Sequence, residues 1–159
     1  MNIQIRAARS TDADVLSALS IRSKHSNGYD AAFMAACQDE LSVSAADIND
    51  GDFWVAEAGG ALCGCACLSI DADDGKLGKV HTFFIDPGWQ RRGVGRALWR
   101  KLVERAKAYR LESLHLDSDP HAVAFYERLG FRVAGEAASG SIPGRRLPRM
   151  EIAVAGCRA

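Results

Sequence analysis

The stretch from residue 79 to residue 118 constrains the fold of this chain more than any other part of the sequence. It reads as an apolar strand (79–86), a break at Pro87, a helix (93–110) whose apolar residues recur every three or four positions, and a short strand (113–118). Two strands that are joined through one helix pair in parallel, by a right-handed crossover. We therefore predict one parallel strand pair in the fold.

The rest of the chain favours antiparallel pairing. Gly59 and Gly60 form the turn of a predicted hairpin, and Gly130 closes a helix before another strand. We expect a single α/β domain over residues 1–159, of the α+β type, with a mostly antiparallel central sheet, one parallel pair and helices on both faces. The other strands are predicted at residues 2–8, 52–58, 61–70, 131–137 and 149–155, and the other helices after Ser10 or Thr11 and at residues 31–38, 44–50 and 121–129.

Three of the five cysteines, Cys63, Cys65 and Cys67, alternate along one predicted strand. Strand alternation places them on one face, whereas pairs of zinc ligands usually have a turn between them. No nearby His completes a tetrahedral set of ligands. We interpret them as small apolar side chains on a buried face and predict no metal site. An odd number of cysteines also speaks against a disulfide framework.

Charge and hydropathy narrow the class of protein. The chain has 20 basic and 20 acidic residues, which argues against general nucleic-acid binding. It contains no apolar run of the ~20 residues that span a bilayer and no apolar signal region at its start, so we expect a cytoplasmic protein without a membrane partner. A homodimer is compatible with the sequence.

The turn QRRGVGR, residues 90–96, opens the long helix and is rich in glycine and arginine. It is either an ordinary helix cap or a cradle for a pyrophosphate, because glycines let backbone N–H groups turn towards an anion at a helix N-terminus. Arginine side chains can pair with phosphate oxygens beside it. Neither the Walker pattern nor the dinucleotide fingerprint is present, which disfavours ATP and NAD.

Two motifs resemble one family. QRRGVGRAL is similar to the acetyl-coenzyme A loop of the GNAT superfamily of N-acetyltransferases, with its (Gln/Arg)-x-x-Gly-x-(Gly/Ala) pattern. DPHAVAFYERLGF, residues 119–131, resembles the Ala-x-x-Phe-Tyr-x-x-x-Gly-Phe segment of the same family. The helix and strand between the two motifs also match, as does the order of elements over nearly the whole chain. The resemblance implies the GNAT fold, with the parallel pair splayed around the coenzyme A site.

The resemblance also implies acetyl-coenzyme A as the co-substrate and no metal. The loop amides would hold the diphosphate, and the main chain of the preceding strand would pair with the pantetheine arm. Many relatives carry an Asn at the position of His121 or two residues earlier, and this Asn hydrogen-bonds the pantetheine or adenine end of coenzyme A. In this chain the resemblance assigns that contact to His121 or Asp119. The implied cofactor-binding residues are Phe83, Phe84, Ile85, Gln90, Arg91, Arg92, Gly93, Val94, Gly95, Arg96, Asp119, His121 and Tyr126.

Two residues carry the implied chemistry. Tyr126 matches the tyrosine that returns a proton to the departing thiolate, although the same residue can simply pack a helix face. His81 matches a histidine of the serotonin N-acetyltransferase branch and is our candidate base for the amine, with Glu57, Asp117 and a water chain as alternatives. Strand alternation places Lys79, His81 and Phe83 on one face and Val80, Thr82 and Phe84 on the other.

The implied reaction is N-acetylation of a primary amine, on a small molecule or a peptide, by direct attack in a ternary complex. The alternatives are a non-catalytic acetyl-coenzyme A sensor and a partner-binding module. Tyr29 and Phe33, with Met34, can form an apolar wall for the acceptor. Arg145, with Arg146 and Arg149, can contact an anionic group of the acceptor, contact the 3′-phosphate of coenzyme A, or form a solvated rim.

Overall fold

A computed structural model describes residues 2–157 of the chain. Within this range the helices and strands follow the predicted order, with the helical turn at residues 44–50 present as a short third helix. In chain order the elements are β1 (Gln4–Ala7), α1 (Ala13–His25), α2 (Ala31–Leu41), α3 (Ala45–Asp50), β2 (Asp52–Ala58), β3 (Ala61–Ile70), β4 (Leu77–Ile85), α4 (Val94–Ala108), β5 (Ser113–Asp117), α5 (Val123–Leu129), β6 (Arg132–Ala138) and β7 (Arg146–Ala153).

The strands form one sheet in the order β1-β2-β3-β4-β5-β7-β6. Strands β4 and β5 run parallel, and every other neighbouring pair is antiparallel, which confirms the predicted mixed sheet. The parallel pair is short, since its register begins at Leu77 opposite Ser113 and ends at Lys79 opposite His115. Beyond that point β4 and β5 no longer pair, and their separation creates the space for a site.

Helices cover both faces of the sheet, as predicted. Helix α4 packs on β2, β3 and β4 over a core that includes Leu98, Leu102 and Leu114. Helix α1 packs on β3 and β4 on the opposite face, over a smaller core that contains Leu16 and Leu19. The apolar periodicity of α4 therefore marked its buried side correctly.

The prediction that three cysteines share one face is wrong. Cys65 and Cys67 face the core beneath α1, but Cys63 is buried in the core beneath α4. The reason is a bulge in β3, where Gly64 pairs with Ala56 and Leu62 pairs with Glu57, so that Cys63 has no partner in β2. One extra residue reverses the alternation of a strand. All three thiols are free and buried, in agreement with their interpretation as core residues.

Because of a second bulge, the residues of β4 lie on other faces of the sheet than predicted. Cys65 pairs with Phe84 and Cys67 with His81, so that two residues of β4 lie opposite one of β3. Thr82 takes the left-handed conformation there, with φ of 52°. As a result Phe83 packs with Val80 on the α4 side, while Phe84 packs on the α1 side. The predicted groupings of Val80 with Phe84 and of Phe83 with His81 are therefore both wrong.

Most element boundaries differ from the predictions by one to three residues, and two of the differences have a clear cause. Strand β7 begins at Arg146 rather than Arg149, because Pro148 lies in the strand opposite Glu136 and accepts a hydrogen bond from the Ser118 amide. Helix α2 continues to Leu41, and Asp30 caps its start as predicted, accepting a bond from the Phe33 amide at 2.8 Å. In the part of the chain described by the structure, no helix is both long and apolar enough to cross a membrane.

Candidate active site

A cleft of about 1070 Å³ opens where β4 and β5 separate. Its walls come from the end of β4, the start of α4, the end of β5 and the N-terminal part of α5, and from α1, α2 and the loop before β7. Except for Arg92, all the predicted cofactor-binding residues line it, together with His81 and Arg145. The fold therefore brings residues from distant parts of the sequence into one cavity.

The loop before α4 has the backbone of an anion-binding site. Arg91 and Gly93 both have positive φ, of 64° and 85°, and alternation of left- and right-handed conformations turns successive N–H groups to one side. Helix α4 has no side-chain cap and no acidic residue in its first turn. Its first amides therefore keep their partial positive charge for a ligand. Arg92 turns away, with its guanidinium 5.2 Å from the centre of the Trp89 ring.

The two glycines of this loop have different environments. A Cβ atom at Gly93 would meet nothing within 4 Å, so the loop is open on that side. A Cβ atom at Gly95 would lie 2.9 Å from the ring of Phe125 in α5. Gly95 is therefore required for the packing of α4 against α5, a reason that the sequence pattern does not reveal.

The edge of β4 that faces β5 has no strand partner after Lys79. Ile85 and Phe84 use their other edge to pair with Gly64 and Cys65 of β3. The free edge offers main-chain N–H and C=O groups to the cleft, and such groups need partners. An extended polar chain fits there in the manner of an added strand.

Tyr126 is buried in an aromatic cluster at the inner end of the cleft. Its ring packs against Phe83, Phe125 and Phe131, with centroid distances of 5.2–5.9 Å. Burial, reinforced by the negative charge of Asp119, raises the pKa of the phenol. The hydroxyl has no hydrogen-bond partner among residues 2–157. A phenol in this environment stays protonated at neutral pH.

His81 lies on the wall of the cleft formed by β4. Its Nε2 is 2.7 Å from the Ser69 hydroxyl and its Nδ1 is 3.0 Å from the Thr82 hydroxyl. Burial lowers the pKa of the imidazole, and the charge of Lys79 lowers it further. Glu57, an alternative candidate for the base, forms an ion pair with Arg6 at 2.7 Å and lies outside the cleft lining.

Asp119 is the centre of a polar cluster that joins three segments of the chain. Lys24 at the end of α1 donates to its carboxylate, and so do the Tyr29 hydroxyl, at 2.9 Å, and the His121 amide, at 2.9 Å. Burial alone would raise the pKa of Asp119, but the hydrogen bonds from Lys24 and His121 outweigh it and hold the pKa well below the usual range. This carboxylate is therefore ionised at working pH.

Arg145 completes the cluster from the loop before β7. It donates to the Tyr29 hydroxyl at 2.7 Å and lies over the Phe33 ring at 4.8 Å, while Tyr29 and Phe33 stack with their centroids 3.9 Å apart. Arg145 lines the cleft, whereas Tyr29 and Phe33 are not part of the lining. The two aromatic rings thus support Arg145 from behind and do not form the expected apolar wall.

The other two arginines of that loop lie apart from the cluster. Arg146 is 3.4 Å from Glu136, and Arg149 is 3.6 Å from Glu151. Both arginines have side chains that are at least a third exposed, in agreement with a solvated surface. Only Arg145 of the three contacts the polar cluster around Asp119 within the described part of the chain.

We expect the substitution Asp119→Asn to lower the free energy of unfolding by about 1–3 kcal/mol, because Lys24 would keep its charge in a half-buried place without its partner. Urea denaturation measures the change. Glu112→Gln serves as the matched control, since Glu112 and its partner Lys76 both have side chains that are 69% exposed. The control should change stability by less than about 0.5 kcal/mol. Equal effects of the two substitutions would contradict a stabilising role of the cluster.

Sequence reasoning missed several residues that shape this site. Lys24 and Ser69 gave no signal, because neither belongs to a motif and their partners lie far away in sequence. The bulge at Thr82 gave none either, since a β-branched residue rarely adopts positive φ. Within residues 2–157 no group of three or more His, Cys, Asp or Glu side chains is placed to hold a metal ion.

Comparison with known proteins identifies the family. A spermine/spermidine N(1)-acetyltransferase of Bacillus subtilis is 33% identical over 70 residues, which are 40% of this chain and 46% of that protein. An N-alpha-acetyltransferase of Mycobacterium tuberculosis is 37% identical over 89 residues, 50% of this chain and 51% of that protein. The chain spans about half the length of the curated relatives it matches.

A solved structure shares the fold over almost the whole chain. It is the PaiA N-acetyltransferase of Thermoplasma acidophilum in complex with coenzyme A, with a TM-score of 0.77 and 19% identity, and the match covers 95% of this chain and 98% of that one. Residues 20–131 match the Acetyltransferase (GNAT) family. The matched range contains helix α2, the loop before α4 and Tyr126. This chain therefore belongs to the GNAT acetyltransferase family.

Proposed function

We propose that this protein transfers the acetyl group of acetyl-coenzyme A to a primary amine of a small molecule or a peptide, by direct attack in a ternary complex. The observation that carries the proposal is a single cleft that combines an anion-binding loop, an unpaired strand edge and a protonated tyrosine. Relatives act on amines of different kinds, since one is named for spermine and spermidine and another for N-terminal α-amines.

The residues present fit coenzyme A. The amides of Val94, Gly95 and Arg96 at the uncapped start of α4 would hold the diphosphate, with Arg91 beside them. The free edge of β4 from Phe83 to Ile85 would pair with the amide groups of the pantetheine arm. Bound there, acetyl-coenzyme A supplies an activated acyl group as a thioester. The cleft has the volume and polarity for such a ligand.

Tyr126 is proposed to be the general acid. Its raised pKa keeps the phenol protonated, so that it can donate a hydrogen bond to sulfur as the C–S bond breaks. The same shift makes the phenol a weaker acid, so this hydrogen bond stabilises the developing thiolate before the proton is transferred. The aromatic cluster of Phe83, Phe125 and Phe131 excludes water from the ring and fixes its orientation. The proton then reaches the thiolate without competition from bulk solvent.

His81 is proposed to take the proton of the attacking amine, directly or through one water. Neutral imidazole accepts a proton and imidazolium cannot, and the lowered pKa keeps His81 neutral at pH 7. The hydrogen bonds with Ser69 and Thr82 orient the ring, since neutral imidazole donates one of them and accepts the other, and each hydroxyl can pass a proton onwards. This arrangement suits a relay as well as a direct base.

This role predicts a pH dependence. Because the pKa of His81 lies below its ordinary value of 6.5, kcat/KM for the acceptor should rise with pH through an apparent pKa below 6.5 and level off above it. His81→Gln should remove this limb and leave the affinity for acetyl-coenzyme A unchanged. Initial rates between about pH 5 and about pH 9, which bracket the ordinary His value of about 6.5, measure the profile. If the variant keeps the limb, it belongs to another group.

Arg145 is proposed to contact the acceptor, while Tyr29 and Phe33 act through it. The Tyr29 hydroxyl and the stacked rings hold the guanidinium at the wall of the cleft. A guanidinium that is fixed in this way binds a carboxylate or a carbonyl oxygen with little loss of side-chain entropy. The His121 side chain contacts Tyr29, which supports Arg145 at the proposed acceptor site, and Asp119, which is a proposed coenzyme A contact. It therefore connects the two parts of the proposed site.

The function is tested by measuring binding and turnover separately. Calorimetry with acetyl-coenzyme A should show binding, and release of free thiol should follow the addition of an acceptor. The acceptor panel contains amino acids, polyamines, aminoglycosides and peptides with a free N-terminus. Binding without thiol release from any acceptor would favour a sensor, and the absence of binding would overturn the proposal.

A further inference from the structure

Two buried polar atoms on β5 have no hydrogen-bond partner within residues 2–157. They are Nδ1 of His115 and Oδ1 of Asp117. His115 is 8% exposed, so its imidazole is not simply solvated. Folded proteins leave few buried polar atoms unpaired, because each one costs the lost solvation of the group. Two such atoms two residues apart on one strand indicate a place where a ligand group belongs.

The position of Asp117 on the lining connects the pair to the cleft, while His115 lies behind it, outside the lining. Leu114 and Leu116 point into the core beneath α4, so alternation places His115 and Asp117 on the opposite face of the sheet, where His81 also lies. The pairing of β4 with β5 ends at His115, and Asp117 follows it on the part of β5 that lines the cleft. Asp117 therefore lies where the two strands begin to separate.

Neighbouring charges leave the Asp117 carboxylate without a fixed partner. Arg149 of β7 is in register with Asp117, but its guanidinium contacts Glu151 at 3.6 Å. Lys79 of β4 is in register with His115 and makes no ion pair within the described residues. Neither of these cations donates a hydrogen bond to Asp117 Oδ1.

The other carboxylates that line the cleft are already bonded. Asp119 accepts from Lys24, Tyr29 and the His121 amide, and Glu40 accepts from the Ser141 hydroxyl. Asp119 accepts hydrogen bonds at both of its oxygens, and Glu40 is an exposed side chain whose attraction for a cation is screened by water. Asp117 differs from both, because it has a buried oxygen to which no group within residues 2–157 donates.

The two unpaired atoms also define the chemical class of the ligand group. A carboxylate oxygen only accepts hydrogen bonds, and neutral imidazole accepts at Nδ1 when Nε2 carries the proton. Burial lowers the pKa of His115, which favours the neutral ring. Two adjacent acceptors require a group with several donors, and an anion would be repelled by Asp117. A primary ammonium, with three N–H donors and a positive charge, satisfies both.

We propose that Asp117, with His115 beside it, binds the protonated amine of the acceptor before acetyl transfer. This inference rests on the proposed function and adds to it the residues that recognise the amine. Asp117 would hold the ammonium at the mouth of the gap between β4 and β5, on the face where His81 can take the proton. Because recognition uses N–H donors, a quaternary ammonium of the same charge should not bind there.

Histidine-detected nitrogen NMR of the protein saturated with coenzyme A tests the proposal. Butylammonium chloride should shift the His115 Nδ1 resonance with a millimolar dissociation constant, and sodium chloride or butyltrimethylammonium chloride at equal ionic strength should not. Asp117→Asn should weaken butylammonium binding roughly ten- to a hundredfold, the range for loss of a charge-assisted hydrogen bond. Glu112→Gln, which removes an exposed carboxylate outside the cleft lining, is the matched control and should bind as the wild type does. His115→Gln assigns the resonance.

The possible results separate this inference from the proposed function. If the protein does not bind coenzyme A, the proposed function fails first. If coenzyme A binds but butylammonium leaves His115 unperturbed, or perturbs it equally in Asp117→Asn, the inference is overturned and acetyl transfer can still stand. If sodium chloride shifts the His115 Nδ1 resonance as much as butylammonium chloride does, only water contacts these atoms, and the inference is again overturned. Asp117→Ser replaces Asp117→Asn if the latter loses coenzyme A affinity through misfolding.

Discussion

Gly93→Asp is expected to weaken the binding of acetyl-coenzyme A on the order of a hundredfold, whereas Gly93→Asn should weaken it much less. Both side chains have the same shape, and both tolerate the left-handed conformation that φ of 85° imposes at this position. A Cβ atom at Gly93 meets nothing within 4 Å, so neither variant should disturb the packing of α4. The difference between the two variants is therefore the added negative charge.

The size of the effect follows from electrostatics. Two unit charges that are about 4 Å apart at a protein surface repel by about 4 kcal/mol, and the arginines of the loop reduce this value. A remaining cost of about 2.7 kcal/mol corresponds to a hundredfold change in affinity. Calorimetry with each variant measures the change, and circular dichroism confirms the fold. Equal affinities for Asp and Asn would show that the diphosphate does not lie on this loop.

The choice of Gly93 over Gly95 depends on the structure. In the sequence both glycines belong to one loop motif, and both predict close approach of an anion. In the fold Gly95 faces Phe125 at 2.9 Å, so any side chain there would disturb the contact of α4 with α5. A substitution at Gly95 would confuse loss of binding with loss of packing. The distinction is invisible in the sequence because Phe125 lies thirty positions further along the chain.

The crossover from β4 through α4 to β5 could be predicted because its signals are local. Apolar periodicity, the stop at Pro87 and the glycines before the helix all act within a few residues of one another. The faces of β3 and β4 could not be predicted in the same way. Each strand contains a bulge, at Cys63 and near Thr82, and a bulge is set by pairing with a neighbouring strand.

The cluster around Asp119 shows the second limit of sequence reasoning. Tyr29, Arg145 and His121 each stood out by residue type, but their roles were considered separately. The fold joins them through one carboxylate whose partner Lys24 is 95 residues away. Side-chain contacts over such a separation depend on the tertiary fold, which no local pattern encodes. The motifs therefore indicated which residues lie near the cleft, and only the structure shows which of them bond to one another.

Tyr126→Phe is expected to lower kcat on the order of 10²-fold, which is typical of the loss of one general acid. The substitution removes only the hydroxyl, and this group makes no hydrogen bond to any residue from 2 to 157. The ring keeps its contacts with Phe83, Phe125 and Phe131, so stability and the affinity for acetyl-coenzyme A should change little. The effect should therefore appear in kcat and leave binding intact.

Tyr109→Phe is the matched control, because it removes a tyrosine hydroxyl outside the cleft. That hydroxyl bonds to Asp52 and Arg105, so the control should lower stability slightly and leave kcat unchanged. Single-turnover measurements are needed as well, since slow product release would hide a change in the chemical step. If Tyr126→Phe turns over as fast as the wild type when chemistry limits the rate, the thiolate takes its proton from another donor. The buried ring would then serve only to pack α5 against β4.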